Sequence, residues 1–307
     1  MNSVAVIGGS GFIGRNMVRE LIRNGYIVRV VDRQPLNEEG VQFVECDILD
    51  QGSLNYALEG VDGVFHLAAL VGVNDCLSNG DRVRSINLQG TANVINACKR
   101  NRISKLFFSS SSEIYGDGLK VPFLENDTSF PKSVYGKTKL ESEYLLRDAA
   151  SEDLVVRVVR FFNIYGPEQR EDFVMKKFVK LALQNYPITI YGNGSQIRCF
   201  THVRDAIAGS LLAYHFQGDP FEVFNIANSS RPTTVLELAQ EIVAMLHSKS
   251  EIVFRPLDEQ DSRPSTIEIF RRIPDTSKAR ELLNFSAQIS LEQGIQDLAS
   301  FITECTV

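Results

Sequence analysis

Tyr135 and Lys139 stand four positions apart in Tyr135-Gly136-Lys137-Thr138-Lys139. On a helix that spacing puts both side chains on one face. A phenol titrates near pH ~10 and is a poor base at neutrality. A neighbouring ammonium favours the phenolate, so such a pair can take a hydroxyl proton while hydride leaves the same carbon. Upstream, the apolar run from Lys105 leads into Ser109-Ser110-Ser111-Ser112-Glu113-Ile114-Tyr115-Gly116. Ligands of open α/β sheets bind at the carboxyl ends of strands, which is where these four hydroxyls and one carboxylate fall. Taken alone, Tyr-x-x-x-Lys is a common spacing, and a serine-rich loop can simply bond to its own backbone; Glu113 can equally be a structural carboxylate holding backbone amides.

A second motif lies at the N-terminus. The strand Val4-Ala5-Val6-Ile7 runs into Gly8-Gly9-Ser10-Gly11-Phe12-Ile13-Gly14. Gly9, Gly11 and Gly14 fit G-x-G-x-x-G; Gly8, Gly11 and Gly14 fit the related G-x-x-G-x-x-G. Glycines let the backbone turn tightly against a pyrophosphate, and a helix from Phe12 and Ile13 onward offers its first amides to the phosphates. Asp32 closes the second strand, where a carboxylate bonds a ribose 2′-hydroxyl and repels a 2′-phosphate. That favours NAD over NADP, although Arg33 beside it keeps the alternative open. Asp47, at the end of the third strand, can hold an adenine amino group or cap its own turn.

The elements around these residues alternate. Strands are expected at Val4–Ile7, Ile27–Val31, Gln42–Val44, Gly63–Leu67, Lys105–Ser109 and Leu154–Arg160. Helices are expected at Phe12–Asn24, Ser53–Leu58, Ser85–Arg100 and Val134–Ala150. Short apolar runs alternating with amphipathic ones predict a doubly wound parallel sheet of the Rossmann type, and strands buried on both faces need no polar alternation. Residues 1–165 read as the dinucleotide-binding domain. Residues 166–307 read as a smaller C-terminal α/β part that binds substrate, with the chain able to cross back between them. That part carries expected helices at Phe173–Gln184, Val203–Phe216, Val235–His247, Ser277–Leu283 and Leu291–Thr303, and strands at Ile188–Tyr191 and Val223–Ile226. The charged, proline-bearing stretch Pro256–Pro274 reads as a long loop, a feature often tied to function.

The 307 residues carry 32 basic and 38 acidic side chains, a net charge of −6, which argues against a general nucleic-acid binder. The five cysteines are scattered without C-x-x-C spacing, so neither a zinc site nor a disulfide framework is expected. No signal-peptide pattern opens the chain, and no apolar run approaches the ~18 residues of a membrane span. The expected location is cytoplasmic.

The glycine loop, Phe65-His66-Leu67-Ala68-Ala69, Asn87-Leu88-Gln89-Gly90-Thr91, the serine segment through Tyr115-Gly116, and Tyr135/Lys139 occur in one order. Arg160-Phe161-Phe162-Asn163-Ile164-Tyr165-Gly166-Pro167, Gly194–Phe200 and Pro274–Ala279 continue it. Together they resemble the extended short-chain dehydrogenase/reductase family of nucleotide-sugar epimerases, dehydratases and decarboxylases, over nearly the whole chain. The resemblance implies that Tyr135 is the base and Lys139 its partner on the nicotinamide ribose. It implies that Ser111, with Ser112, holds the sugar hydroxyl being oxidised, and that Ile48, Leu67, Ala68 and Ala69 line the NAD site with the residues above. Asn163 and Arg198 would hold the nucleotide diphosphate, and Arg263 or Arg272 would reach it too; arginine's planar fork suits phosphate oxygens. UDP is the expected carrier, being the commonest in the group. Many relatives dimerise through the helices corresponding to Ser85–Arg100 and Val134–Ala150, so a homodimer is expected.

The family shares one opening step, oxidation of the sugar at C4, and then diverges. The leading expectation is a UDP-sugar 4-epimerase. Dehydratases usually carry Asp-Glu where this chain has Ser112-Glu113, so the usual acid is missing. The Ser-Glu pair before Ile-Tyr-Gly, and the Arg-Cys-Phe-Thr run at Arg198–Thr201, resemble UDP-glucuronate decarboxylases. Decarboxylation or dehydration using Glu113 is therefore the alternative. A reading of another class is a non-catalytic NAD-binding regulatory protein, against which Tyr135, Lys139 and Ser111 all speak.

Overall fold

The computed structural model describes residues 3–71, 79–257 and 264–305; Arg263 lies outside them. The first half runs β1 (Ser3–Ile7), α1 (Phe12–Arg23), β2 (Ile27–Asp32), β3 (Val41–Glu45), α2 (Gln51–Ala57) and β4 (Gly63–His66). A helix α3 follows, as Gly80–Arg84, a π-turn at Ser85–Gln89, and Gly90–Arg100. Then come β5 (Lys105–Ser111), a 3-10 turn (Ser112–Tyr115), α4 (Val134–Ala149) and β6 (Val155–Phe161). The second half holds β7 (Ile164–Tyr165), α5 (Val174–Leu183), β8 (Ile188–Tyr191), β9 (Ile197–Arg198), β10 (Thr201–His202) and α6 (Val203–His215). It ends with β11 (Phe221–Ile226), β12 (Thr233–Thr234), α7 (Val235–Met245), β13 (Ile252–Arg255), β14 (Arg271–Arg272), α8 (Ser277–Leu283) and α9 (Leu291–Glu304).

Seven parallel strands form the main sheet in the order β11-β6-β5-β4-β1-β2-β3. Both faces are covered, so the central strands are apolar throughout; Val4, Ala5, Val6 and Ile7 are all fully buried. One face packs on α2, α3 and α4, with Leu54, Val94 and Leu146 in the core. The other packs on α1, α6 and α8, with Met17, Ala206 and Leu283. Strand order reverses between β1 and β4, and the glycine loop and the ends of β4 and β5 all open there.

The edge strand β11 comes from the second half and pairs in parallel with β6, so the chain returns to the first sheet after residue 165. The remaining second-half elements build a separate core around Phe178, Leu238, Ile242, Ile295 and Leu298. The expected loop at Pro256–Pro274 is corrected in part. Ser265–Ile267 is a 3-10 turn, and Arg271–Arg272 is a strand pairing in parallel with β9. Two consecutive arginines look like solvated loop, but the Arg272 side chain is buried in an ion pair. That burial hid the strand from any reading by hydrophobic pattern.

A buried polar junction fastens β5, α4, β6 and β11 beneath the site. Arg160 donates from Nη2 and Nε to the two carboxylate oxygens of Glu143, at 2.7 and 3.1 Å. Ser110 Oγ donates to the same carboxylate at 2.5 Å. Arg160 Nη1 reaches the Tyr115 hydroxyl at 2.8 Å, and that hydroxyl donates to Asn225 Oδ1 at 2.7 Å. Each buried charge is thus met by several partners, as burial in a low dielectric requires.

Candidate active site

The dinucleotide end follows from the glycine loop. A Cβ on Gly14 would sit 2.1 Å from Gly8 O, so only glycine lets α1 start this close to the turn. Gly11 is the N-cap of α1 and has no side chain to cap it, which leaves the amides around Phe12, Ile13 and Gly14 suited to an anion. Gly8 packs against Ala68, and Leu67 N donates to Ile7 O at 2.8 Å, so the ends of β1 and β4 meet with Ala69 just beyond. Asp32 accepts from Ser10 N at 3.0 Å and from Gln34 N at 3.1 Å, one bond per oxygen. An ionised carboxylate has about four acceptor sites, so this arrangement still suits a ribose diol. The cradle therefore fits an adenine dinucleotide without a 2′-phosphate.

Arg33 is exposed. Asp47 accepts from Leu49 N at 2.9 Å, the local turn bond that the sequence left as one of two readings. Ile48 is buried and packs against Gly90 of α3. In the π-turn of that helix, Asn87 Oδ1 accepts from Leu70 N at 2.7 Å and Asn87 Nδ2 donates to Leu70 O at 3.1 Å. This pins the segment after Ala69; π-turns of this kind often mark functional sites.

The chemical end forms where β5 and α4 meet. Ser133 caps α4 by accepting from Gly136 N at 3.0 Å, while its hydroxyl donates to Glu113 Oε2 at 3.0 Å. A Cβ on Gly136 would lie 2.8 Å from Glu113 O, so glycine lets the helix start against the 3-10 turn. Tyr135, in the first turn, is half-buried. Lys139 is buried with its Nζ 5.9 Å from the Tyr135 ring centroid and 4.6 Å from that of Phe108. It donates to Ser109 O at 2.8 Å. Ser111 Oγ accepts from Glu113 N at 3.2 Å, and Ser112 is buried behind it. Tyr135, Lys139, Ser111 and Glu113 thus come together as one cluster.

Burial pushes the Lys139 ammonium down to about 7, against the opposing pull of the Glu143 carboxylate. His66, fully buried with Nε2 3.0 Å from Thr91 Oγ1, is pushed by burial down to about 3, with the Lys139 charge adding to the shift, so it is neutral. It fills the core rather than titrating near neutrality.

The two described arginines expected on the diphosphate, Arg198 and Arg272, are each paired with a glutamate. Arg272 forms an ion pair with Glu113 at 2.6 Å, both side chains being buried. Arg198 is Arg272's register partner across β9–β14. It pairs with Glu268 and donates from Nη1 to Ile269 O at 2.8 Å. Two Arg–Glu pairs therefore lie side by side. Asn163 takes a left-handed φ of 42°, and its Oδ1 is buried without a hydrogen-bond partner among the described residues; an orphaned buried acceptor of this kind calls for a ligand or water. Two participants escaped the sequence reading. Ser133 carried a signal, a serine just ahead of the Tyr135 helix, whereas Glu268 carried none.

The depressed ammonium of Lys139 has a stability consequence with a definite sign. Unfolded, the side chain titrates near its ordinary 10.5, and folded near 7. Above pH 7 the unfolded chain therefore holds a proton that the folded chain has begun to lose, and stability rises with pH. The cofactor-stripped protein should gain up to about 1.4 kcal/mol per pH unit between pH 7 and about 8, below the range where buried thiols begin to contribute. Denaturant titrations of Lys139→Met should lack this slope; an unchanged slope would contradict the burial account.

The NAD dependent epimerase/dehydratase family matches residues 4–227. A UDP-N-acetyl-alpha-D-glucosaminuronate decarboxylase of Bacillus cytotoxicus is 33% identical, over 97% of each chain. The solved structure of MoeE5 in complex with UDP-glucuronic acid and NAD superposes with a TM-score of 0.90 at 30% identity, covering 99% of this chain and 100% of that one. A UDP-glucuronic acid 4-epimerase from Bacillus cereus, solved with UDP-glucuronic acid and NAD, gives 0.89 at 28% identity, covering 99% of both chains. With this match over nearly its whole length, the chain belongs to the NAD-dependent epimerase/dehydratase family of enzymes.

Proposed function

We propose that the enzyme decarboxylates a UDP-linked hexuronic acid by way of its 4-keto form. The observation that carries this reading is the buried Glu113–Arg272 pair beside Ser111 and Tyr135. A buried ion pair rarely repays its own desolvation, and replacement by apolar residues is often neutral or stabilising. Keeping one in the wall of a sugar site makes sense when the substrate itself is charged there. A neutral sugar offers that pair hydroxyls alone, with no charge to answer the guanidinium.

When bound, NAD accepts the C4 hydride and later returns it. Tyr135 takes the C4 hydroxyl proton, Lys139 supports the phenolate, and Ser111 orients the hydroxyl. The resulting ketone is β to the C6 carboxylate. The C5–C6 bond then breaks, carbon dioxide leaves, the electron pair moves onto the C4 oxygen as an enolate, and a proton from solvent adds at C5. Arg272, neutralised by Glu113, orients a uronate without the strong ground-state stabilisation that a lone cation would impose on it. The relatives support the substrate class, since the Bacillus cytotoxicus enzyme is named for decarboxylating a UDP-linked uronic acid. A second reading, 4-epimerisation of the same UDP-uronate, is favoured by the likeness to the Bacillus cereus epimerase.

The same reading includes a homodimer. Tyr144 and Leu145 project from α4 into solvent, beside a groove between α3 and α4 lined by Ile95, Asn96, Leu145 and Asp148. These correspond to the two helices through which the resemblance implies that relatives dimerise. The cytoplasm is the proposed location, where a nicotinamide cofactor and UDP-sugars are at hand. No helix among the described residues is long and apolar enough to cross a membrane.

With UDP-glucuronate or its 2-acetamido analogue, the purified enzyme should release a product lighter by carbon dioxide on liquid chromatography with mass detection. Glu113→Gln should lower that rate by about 10²-fold or more while the protein still melts cooperatively. A product of unchanged mass would replace decarboxylation by epimerisation, and near-normal turnover of Glu113→Gln would remove Glu113 from the chemistry. Light scattering should give a dimer for the wild type and a monomer for Leu145→Asp; a monomeric wild type would overturn the interface.

A further inference from the structure

One carboxylate outside the chemical cluster ties the two halves of the molecule together at the cofactor. Glu168 follows Gly166-Pro167 in the loop after β7 and takes a left-handed φ of 66°, uncommon for a residue with a side chain. Arg19 grips it with Nη1 at 2.6 Å and Nη2 at 3.0 Å, a bidentate fork. Arg15 Nη1 lies 3.4 Å from the same carboxylate, and Arg15 Nη2 donates to Ser10 O in the glycine loop at 2.7 Å. Arg19 Nε donates to Glu38, on the loop that follows Asp32, at 2.7 Å. Ser10 closes the circle, its N–H on Asp32 and its hydroxyl on Gln34 O at 2.6 Å.

The loop carrying Glu168 is itself anchored to the substrate half. Gln169 Nε2 donates to Ile164 O at 2.8 Å, and Lys176 Nζ donates to Gln169 O at 2.7 Å. Asn163, with its orphaned buried oxygen, lies at the start of the same segment. Glu168 therefore ties the substrate segment, through Arg15 and Arg19, to the pyrophosphate loop and the ribose carboxylate loop, which Ser10 already joins to each other. Burial works against its charge, but the hydrogen bonds and charges of Arg19 and Arg15 hold its carboxyl below the ordinary range, so it is ionised at neutral pH.

We propose that Glu168 is a latch that slows release of NAD from the folded enzyme. The need for it rests on the reaction proposed above: a hydride lost from C4 must return from the same cofactor, and early release would strand the keto sugar. The carboxylate is only 18% exposed and is held bidentately within a network, the setting in which an ion pair contributes measurably.

The test is the rate at which bound NAD leaves the purified enzyme into excess unlabelled NAD, with the amount of NAD that co-purifies as a second readout. Glu168→Gln and, separately, Arg19→Gln should each speed release about five- to tenfold. Raising ionic strength should speed release from the wild type and much less from the variants. Unchanged release in two variants that melt normally would overturn the latch whatever the substrate is. Faster release in an enzyme that fails on every UDP-uronate would leave the latch standing and remove the reaction proposed as its purpose.

Discussion

A carboxylate withdrawn from water at the carboxyl end of a central strand has to be answered by the fold, and Glu113 is answered from two sides. Arg272 meets it from β14 and Ser133 from the cap of α4. The first contact ties β14, which pairs with β9 in a small separate sheet, to the turn after β5. The second sets where α4 begins, and therefore where Tyr135 and Lys139 stand relative to Ser111. Because Ser133 uses one hydroxyl both to cap the helix and to hold Glu113, the positions of base and carboxylate are coupled. Cleaving a buried pair of this kind leaves a charge unpaired, at a cost of about 3–5 kcal/mol.

The rest of the site extends the same rule. Lys139 is so well buried that its ammonium sits near neutrality, and the Glu143–Arg160 junction one helical turn further on supplies the nearest countercharge. Arg198 and Arg272 lie in register on adjacent strands, each answered by a glutamate. The result is a cluster rich in fixed charge but close to neutral, which on the proposed reading would orient an anionic sugar nucleotide without the reorganisation that water would demand. At the other end, the open amides of α1 and the shared carboxylate of Asp32 are suited to the corresponding work for the dinucleotide.

The sheet was legible in the sequence because its strands are buried on both faces and announce themselves as unbroken apolar runs, Val4–Ile7 most plainly. The glycine loop, Asp32 and the Tyr135/Lys139 spacing were legible because each is a local pattern with one mechanical purpose. What escaped was non-local. Strand β14 is made of two arginines, Arg271 exposed and Arg272 buried against Glu113, a partner far away in the chain, so no periodicity could reveal it. Arg272 was expected on a diphosphate, and its partner in the structure is Glu113. The π-turn in α3 was equally invisible; its Asn87 bonds to Leu70, seventeen residues away, a contact no local pattern announces. Asp47 remained ambiguous because a turn bond and an adenine contact need the same residue at the same place.

Turnover of UDP-glucuronate in deuterium oxide, followed by proton NMR of the isolated product, tests the central claim most directly. The account predicts loss of the C6 carboxylate and one deuteron at C5, added to a single face. A product that keeps C6 and carries only protium at C5 would show that the Glu113–Arg272 pair takes no part in bond breaking there, and would contradict it.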